Sequence, residues 1–163
     1  MMKRKAGILL PISSLPSRYG IGCFDEAAYK FVDWLQAAGQ HYWQILPLVP
    51  TSYGDSPYQS FSTFAGNPYF ISLDKLVEAG LLTEKEIKAV KKSKKADDID
   101  YAKLYKGRYK LLRKAYEKSH ISEKQDFQQY LADNGWWLED YALFMALKDR
   151  FEGKCWNEWP EDI

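Results

Sequence analysis

The chain has 163 residues, which is enough for one ordinary domain with a core of its own. Hydrophobic residues make up 46% of the sequence and the formal net charge is +1, a balance that excludes an intrinsically disordered chain. No stretch approaches the roughly 20 apolar residues of a membrane span, and Pro11 interrupts the short apolar run after the basic N-terminus, so we expect neither a transmembrane helix nor a signal peptide.

The first 48 residues predict a strand, a helix and a second strand. The apolar runs 6–12 and 41–48 are of strand length, and neither alternates between apolar and polar residues. Between them a helix is predicted over 24–38, with Asp25 as its N-cap and Gly39 just after its end. Its apolar face is formed by Ala28, Phe31, Val32 and Leu35. Continuously apolar strands are typical of parallel strands buried on both faces and joined by a right-handed helical crossover.

A long polar and aromatic loop follows the second strand. Pro47 and Pro50 end the strand, and the loop then runs through 49–70. A rigid strand followed by a loop rich in Tyr, Ser, Asp and Gln is a common way to present a binding surface. The chain also holds 12 Tyr and 6 Trp, which fits either ring stacking on a ligand or an aromatic-rich core. The candidate binding residues are Tyr53, Asp55, Ser56, Tyr58 and Gln59.

Beyond residue 72 the sequence is helical in character. Helices are predicted over 73–79, 83–92, 101–118, 123–132 and 136–151. Two of them open on predicted capping boxes, Thr83 with Glu86 and Ser122 with Gln125. A buried parallel sheet needs more than two strands, yet no strong strand signal follows. The sequence therefore resembles the beginning of a larger α/β protein.

Charge is distributed unevenly along the helical part. Segment 84–126 is basic and segment 127–163 is acidic. The lysines of the basic segment stand among Glu and Asp on predicted helix faces, which favours a solvated face over a nucleic-acid surface. We therefore expect no nucleic-acid partner.

Several conspicuous residues have a structural interpretation. His41 begins a strand and His120 ends a helix, so neither receives a catalytic role. Cys23 and Cys155 match no metal-ligand spacing, and we expect them to be free thiols in a reducing cytoplasm. The turn 66–68 is structural. Core positions in the helical part are predicted for Trp136, Trp137, Trp156 and Trp159.

Three long motifs run along nearly all of the chain. They are RKAGILLPISSLPSRYGIG, then AGQHYWQILPLVPTSYGDSPYQSFSTFAGNPYFISLDKLVEAGLL, and then NGWWLEDYALFMALKDRFEGKCWNEWP. Through these motifs the sequence resembles the N-terminal part of the 4-α-glucanotransferases of the amylomaltase (disproportionating enzyme) family, glycoside hydrolase family 77. GDSPYQSFSTFAGNP is the most specific match, and 84–122 is the weakest.

The resemblance implies a fold of the α/β class, the beginning of a (β/α)8 TIM barrel followed by an inserted helical subdomain. Residues 1–72 would be the first βαβ portion of the barrel, with a sugar-binding loop at 49–70, and residues 73–163 the helical subdomain. Active sites of such barrels are built from the loops that follow the strands. In this chain those loops are 13–22 and 49–64.

The resemblance also implies an activity. Enzymes of this family transfer α-1,4-glucan segments between maltooligosaccharides or starch chains by a retaining double-displacement mechanism, with neither metal nor organic cofactor. Such chemistry needs two carboxyl groups about 5 Å apart, which in this family follow later barrel strands. No Asp or Glu of this chain matches a catalytic motif, so no catalytic residue is assigned and the isolated chain is expected to be inactive. The expected partners are an α-1,4-glucan and the remainder of the parent barrel, without nucleic acid or membrane.

The resemblance assigns roles to three candidate residues. Tyr58 resembles the family tyrosine that meets the sugar near the scissile bond, and Ser56 resembles its hydrogen-bonding neighbour. Tyr53 resembles a tyrosine of an outlying glucan-binding surface. A pyranose stacks its apolar face on a ring and needs polar partners for its hydroxyls, which Asp55 and Gln59 offer. Each has a structural alternative, since Asp55 can cap its own loop, Ser56 can serve a plain turn and Tyr58 can pack under the loop.

Two other functions stay open. The chain can be a stand-alone, non-catalytic glucan-binding module, which a natural stop codon after Ile163 would favour. It can also be a helical interaction domain that binds RNA or another protein through 84–126, which requires tight and salt-sensitive binding in the case of RNA.

Overall fold

The computed structural model describes residues 4–52, 54–88, 98–161 and 163. Within that part the chain is mixed α/β, mostly helical with one small sheet. The elements are β1 (Gly7–Leu9), α1 (Glu26–Ala37), β2 (Tyr42–Gln44), α2 (Leu73–Glu78), α3 (Glu84–Lys88), α4 (Tyr101–Ser119) and α5 (Gln125–Arg150). The second half of the helix predicted over 83–92 lies outside the described residues. None of the described helices has the length and apolar character needed to cross a bilayer.

The two strands pair in parallel, which confirms the predicted strand–helix–strand unit. Gly7 lies opposite Tyr42 and Leu9 lies opposite Gln44, with α1 as the connection. Both strands are shorter than the apolar runs that predict them. On the β1 side the ladder closes with Leu10 N donating to Gln44 O at 3.0 Å. Pro11 follows, and because proline has no N–H it cannot continue the ladder.

Only one face of this sheet is covered by the described residues. Trp43 packs against Phe31 of α1, with ring centroids 4.9 Å apart. On the opposite face Leu9 is 55% exposed and Tyr42 is 57% exposed. The expectation that both strands are buried on two sides is therefore wrong for the described chain, because α1 covers a single side.

Helix α1 begins and ends as predicted. Asp25 is its N-cap, and a side-chain oxygen of Asp25 accepts a hydrogen bond from Ala27 N at 2.9 Å. Gly39 follows with a φ of +66°, a conformation that glycine adopts without steric cost. Three residues of the predicted apolar face pack inward, but Val32 is 49% exposed and does not belong to the core.

The helices predicted over 123–132 and 136–151 are one continuous helix, α5, of 26 residues. The predicted capping box of Ser122 and Gln125 is wrong. Ser122 lies in a 3-10 turn, and Lys124 occupies the N-cap position of α5 without a side-chain cap. Hydrogen bonds from the Asn134 side chain to Tyr130 O and from Trp137 Nε1 to Asn134 stabilise the middle of the helix.

The capping box at the start of α3 is confirmed. Thr83 N donates to Glu86 Oε2 at 2.8 Å, and Glu86 N donates back to Thr83 Oγ1 at 3.3 Å. Two lysines of α4, Lys114 and Lys118, form ion pairs with the same carboxylate. Glu86 therefore joins α3 to α4. The pairing of these lysines with an acid is typical of a solvated helix face.

Among the described residues three apolar clusters form the core, and two of them connect the loop after β1 to the helices after residue 72. The largest contains Tyr19 of that loop. Its other buried side chains come from α2, α3, α4 and the turn between α2 and α3, namely Leu73, Leu82, Ile87, Leu111 and Ala115. A second joins Ile21 of the same loop to Tyr69 and to Leu104 of α4. The third lies between the sheet and α1.

The tryptophans are not core residues as a group. Trp136 is 69% exposed and Trp156 is 71% exposed, so their predicted core positions are wrong. Trp137 and Trp159 are half-buried. Both contact phenylalanine rings, with centroids 5.7 Å apart for Phe64 and Trp137 and 5.7 Å apart for Phe144 and Trp159. The helix that carries Trp136 and Trp137 has no fully buried residue.

Gly22 tests the tight packing of the loop after β1. A Cβ atom at this position would lie 2.0 Å from Ile12 O and 2.8 Å from Leu15 N, so the backbone must move to accept it. We expect Gly22→Ala to lower the free energy of unfolding by about 3 kcal/mol, near the upper end for overpacked sites. Urea denaturation followed by circular dichroism measures the change.

Gly66→Ala is the matched control, because a Cβ atom there meets nothing within 4 Å. We expect this variant to stay within about 0.5 kcal/mol of the wild-type chain. Equal losses for the two variants would contradict the packing of Gly22.

The Glu86 ion pairs predict a pH dependence of stability. Hydrogen bonds from Lys114 and Thr83 lower the pKa of Glu86 from 4.5 to about 2. Since the folded pKa is depressed, its contribution to stability is complete above pH 4.5 and is lost as the pH falls through about 2. We expect Glu86→Gln to be less stable than wild type at neutral pH, with a difference that vanishes towards pH 2.

Urea unfolding of both chains across this pH range measures the difference. Glu117→Gln is the control, since it removes an exposed carboxylate of α4 that forms no ion pair among the described residues. A Glu86→Gln difference that does not change with pH would contradict the role of the ion pairs.

Candidate functional site

The two ends of the loop that follows β2 lie next to each other. Asn67 N donates to Leu48 O at 2.8 Å, which joins its two ends. The Asn67 side chain is buried and accepts a hydrogen bond from Tyr69 N at 2.9 Å. The loop is therefore closed by main-chain contacts, and its base is held by a side chain that the sequence interpretation assigned to a structural turn.

The C-terminal end of loop 49–70 is held by a buried cation. Arg108 of α4 is fully buried, and its Nη2 donates to Tyr69 O at 2.8 Å and also to Ile71 O. The carbonyl between them, Phe70 O, accepts a hydrogen bond from Phe24 N at 3.1 Å. Three consecutive carbonyl groups thus have donors from two other parts of the chain. Sequence reasoning missed Arg108, although it stands at an apolar position of the helical stripe formed by Leu104, Leu111 and Ala115.

Three predicted site residues lie together at the tip of the loop. Ser52 N donates to Gln59 O at 3.2 Å, and Gln59 N donates to Ser56 O at 3.2 Å, which folds the tip back on itself. The Ser56 hydroxyl accepts a hydrogen bond from Tyr58 N at 3.3 Å. Tyr58 is 73% exposed, so its ring does not pack under the loop. Ser56 serves the loop backbone and stays half-buried, while the Gln59 side chain is exposed.

Asp55 lies in the turn at the tip of the loop, where its N–H donates to Ser52 O at 3.0 Å. Its φ of +56° is a left-handed conformation that aspartate tolerates better than most residues. Burial raises the pKa of its carboxyl group. Burial is also the main cause that raises the pKa of Tyr69 and of Tyr101 at the start of α4, and the charge of Asp55 adds to both shifts. Tyr53, the fifth predicted site residue, lies outside the described residues.

A group of tyrosines lines the α4 side of the loop. Tyr69 lies 6.0 Å from Tyr101 and 5.8 Å from Tyr109 between ring centroids, and Tyr105 lies 5.2 Å from Tyr109. Burial is the largest cause that raises the pKa of Tyr109 to about 12. These phenols therefore keep their protons at neutral pH and can donate hydrogen bonds. The sequence places these tyrosines of α4 on an amphipathic helix and assigns them no role in the site.

The second half of the loop rests on α5. Phe61 lies 5.5 Å from Phe144, and Phe64 lies 4.8 Å from Trp136, between ring centroids. An open cavity of ≈ 450 Å³ lies beside these contacts, between residues 60–64 and this helix. Aromatic rings and the carboxylate of Asp140 line it. The loop thus lies between α4 on one side and α5 on the other.

Several acids of the chain have structural roles. Asp25 and Asp100 cap α1 and α4, Asp74 pairs with Arg18, and Glu86 pairs with lysines of α4. Within the described ranges no group of three or more His, Cys, Asp and Glu residues could hold a metal ion.

The loop after β1 is fixed by its own contacts. Gly22 N donates to Ser13 O at 3.0 Å, which closes the loop on itself. Arg18 forms an ion pair with Asp74 of α2. An open cavity of ≈ 880 Å³ lies beside this pair and the start of α1.

Comparison with known proteins places the chain in a family. The sequence profile described as 4-alpha-glucanotransferase, for glycoside hydrolase family 77, matches residues 10–163. The 4-alpha-glucanotransferase of Streptococcus pneumoniae is 51% identical over 162 residues, which are 99% of this chain and 32% of that protein. The 4-alpha-glucanotransferase of Thermus thermophilus is 44% identical over 163 residues, 98% of this chain and 32% of that protein.

A solved structure matches the fold as well. The amylomaltase from Streptococcus agalactiae in complex with acarbose superposes with a TM-score of 0.87 at 40% identity, over 98% of this chain and 32% of that one. The chain spans about a third of the length of the relatives it matches (32%). It therefore belongs to the 4-alpha-glucanotransferase family, glycoside hydrolase family 77, and corresponds to an N-terminal part of such an enzyme.

Proposed function

We propose that this chain contributes a substrate-binding surface to a 4-α-glucanotransferase. The parent enzyme transfers α-1,4-glucan segments between maltooligosaccharides or starch chains by a retaining double displacement. The sugar-binding surface is loop 49–70, with Tyr58 and Ser56 at the reacting sugar. Gln59, Asp55 and Tyr53 provide further contacts, Tyr53 on an outlying surface.

The exposure of Tyr58 on an anchored loop carries this proposal. A sugar gains most from a ring that is already held in place, because little conformational freedom is lost on binding. Tyr58 has 73% of its surface open to solvent, while the loop ends meet at Leu48 and Asn67. The related amylomaltase whose structure is known was solved with acarbose, a glucan analogue, which supports a glucan as the ligand.

We propose that the chain divides into two parts of the parent enzyme at residue 72. Residues 1–72 are the first βαβ portion of a (β/α)8 barrel, and 73–163 are a helical subdomain inserted into it. The parallel pairing of β1 with β2 through α1 supports this division, because that unit repeats around such barrels. Loops 13–22 and 49–64 both follow a strand and belong on the substrate side.

The catalytic pair of carboxyl groups comes from the rest of the parent enzyme. Retaining transfer needs a nucleophile and an acid/base about 5 Å apart. The structural roles of Asp25, Asp74, Glu86 and Asp100 support this view. We propose that the reaction needs no cofactor and takes place in the cytoplasm.

Replacing Tyr58 tests the site. If its ring stacks on a sugar, we expect Tyr58→Ala to raise the dissociation constant for maltoheptaose about tenfold, or about 1.4 kcal/mol. Titration of the chain followed by tryptophan fluorescence measures the affinity.

Tyr116→Ala is the matched control for this titration. Tyr116 is also an exposed tyrosine, at 60%, but lies on α4 two turns beyond the residue that holds the loop. We expect its affinity to equal that of the wild-type chain. If Tyr58→Ala binds as tightly as the control, the site assignment is wrong.

The isolated chain is expected to lack transfer activity. Without a carboxyl pair it should release no glucose from maltotriose above background, whereas the 4-alpha-glucanotransferase of Streptococcus pneumoniae serves as the positive control. Glucose is measured by a coupled enzymatic assay. Release by this chain above the reagent blank would show that it holds a catalytic pair of its own.

A further inference from the structure

Arg108 differs from every other cation of the described chain in its burial. Its side chain is fully buried, whereas lysines such as Lys103 and Lys114 reach solvent and pair with surface acids. A buried charge is costly unless its donors are used. Burial lowers the pKa of Arg108, and the group stays a cation because a guanidinium holds its proton far above neutral pH. A cation at this position therefore costs free energy that its contacts must offset.

The contacts of Arg108 lie at the joint between two loops. One nitrogen, Nη2, donates to Tyr69 O and to Ile71 O, at the C-terminal end of the loop that carries Tyr58. Cys23, directly after the loop that follows β1, is near enough to oppose the effect of burial on the pKa of Arg108. Two residues of the same region pack or bond at this joint, since Ile21 packs with Leu104 and Phe24 N donates to Phe70 O. Its Nε and Nη1 have no hydrogen-bond partner among the described residues. One side chain of α4 thus holds the end of the loop that carries Tyr58 at the place where that loop meets the end of the loop after β1.

Packing around Arg108 places it between two core clusters. Leu104, one turn before it, packs with Ile21 and Tyr69. Leu111, one turn after it, packs in the cluster of Tyr19. An apolar side chain would continue this stripe without the cost of burying a charge, and replacement of buried ion groups by apolar residues is often tolerated. Apolar packing alone leaves the carbonyl oxygens of Tyr69 and Ile71 without a donor.

We propose that Arg108 is a positioning residue for glucan binding, which fixes the Tyr58 loop against the loop after β1. It touches no sugar itself. By holding the carbonyl groups at positions 69 and 71, it sets the direction in which the loop leaves Asn67 and thereby the place of Tyr58. This inference rests on the proposed function of the loop.

The test compares three variants of the whole 163-residue chain. Arg108→Met keeps an unbranched apolar stem, shorter than that of arginine, and removes all donors. Arg108→Lys keeps a charge and up to three donors on a shorter reach. Leu111→Ala, in the neighbouring turn of α4, leaves a cavity in the Tyr19 cluster and serves as the control for loss of stability alone.

The first measurement needs no sugar. Amide exchange followed by NMR reports the hydrogen bonds from Asn67 N to Leu48 O and from Gln59 N to Ser56 O. We expect Arg108→Met to accelerate exchange at both amides about tenfold and Arg108→Lys to do so less. Exchange at Gly39 N, which is bonded to Gln36 O at the end of α1, should not change. Equal acceleration in Leu111→Ala, or none in Arg108→Met, overturns the proposal.

The second measurement is titration with maltoheptaose under conditions in which circular dichroism shows each variant folded. We expect about a tenfold loss of affinity for Arg108→Met, partial recovery for Arg108→Lys and wild-type affinity for Leu111→Ala. Wild-type affinity in Arg108→Met, together with a loss in Tyr58→Ala, overturns the role of Arg108 and leaves the sugar site standing. Absence of binding by the wild-type chain refutes the sugar site and with it the glucan role of Arg108. The exchange data then show only whether Arg108 holds the loop.

If Arg108→Met does not fold, Arg108→Lys decides both measurements. Faster exchange at Asn67 and weaker sugar binding in this variant support the proposal, and wild-type values in both overturn it.

Discussion

Three consecutive carbonyl groups, those of residues 69–71, set the strongest constraint on this structure. A carbonyl group that leaves water must find a donor or lose free energy on folding. Here the donors come from Arg108 of α4 and from Phe24 N, just before α1. The loop after β2 can therefore return to the protein only where the helical part and the beginning of the chain meet. The helices after residue 72 are part of the loop's support, and two of the three apolar clusters cross the same junction.

The parts of the fold that the sequence predicts well are those encoded between close neighbours. Asp25 caps Ala27 two residues away, and Thr83 and Glu86 bond each other across one turn. Parallel pairing is also predictable, because a helix of this length between two apolar runs allows little else. The start of α5 is not predictable in this way. Ser122 is the better N-cap residue by type, but it lies in a 3-10 turn, and Lys124 takes the N-cap position. Exposure of Leu9 and of Val32 depends on which element lies opposite, and local sequence carries no such information.

The candidate site divides in the same way. Residue types alone indicate a binding loop, and its tip does bring Ser56, Tyr58 and Gln59 together. The charge of Asp55 acts on tyrosines at positions 69 and 101, and only tertiary folding brings α4 within its range. Arg108 is the clearest omission. An arginine in a lysine-rich helix suggests a solvated face, and only its place in the stripe of Leu104 and Leu111 indicates a core position. Its carbonyl partners are 37 and 39 residues away, beyond the reach of periodicity.

The two thiols of the chain have opposite accessibilities. Cys23 is fully buried and donates to Asp25 Oδ2 at 3.3 Å, whereas Cys155 is exposed. Burial raises the pKa of Cys23 to about 12, and only a thiolate reacts readily with an alkylating reagent. Cys23 can thus react only when local unfolding exposes it to solvent, while Cys155 reacts in the fully folded chain. The ratio of the two alkylation rates therefore reports the free energy of opening at this junction. The two native thiols thus allow the stability of the contact between the start of the chain and α4 to be measured without an added probe.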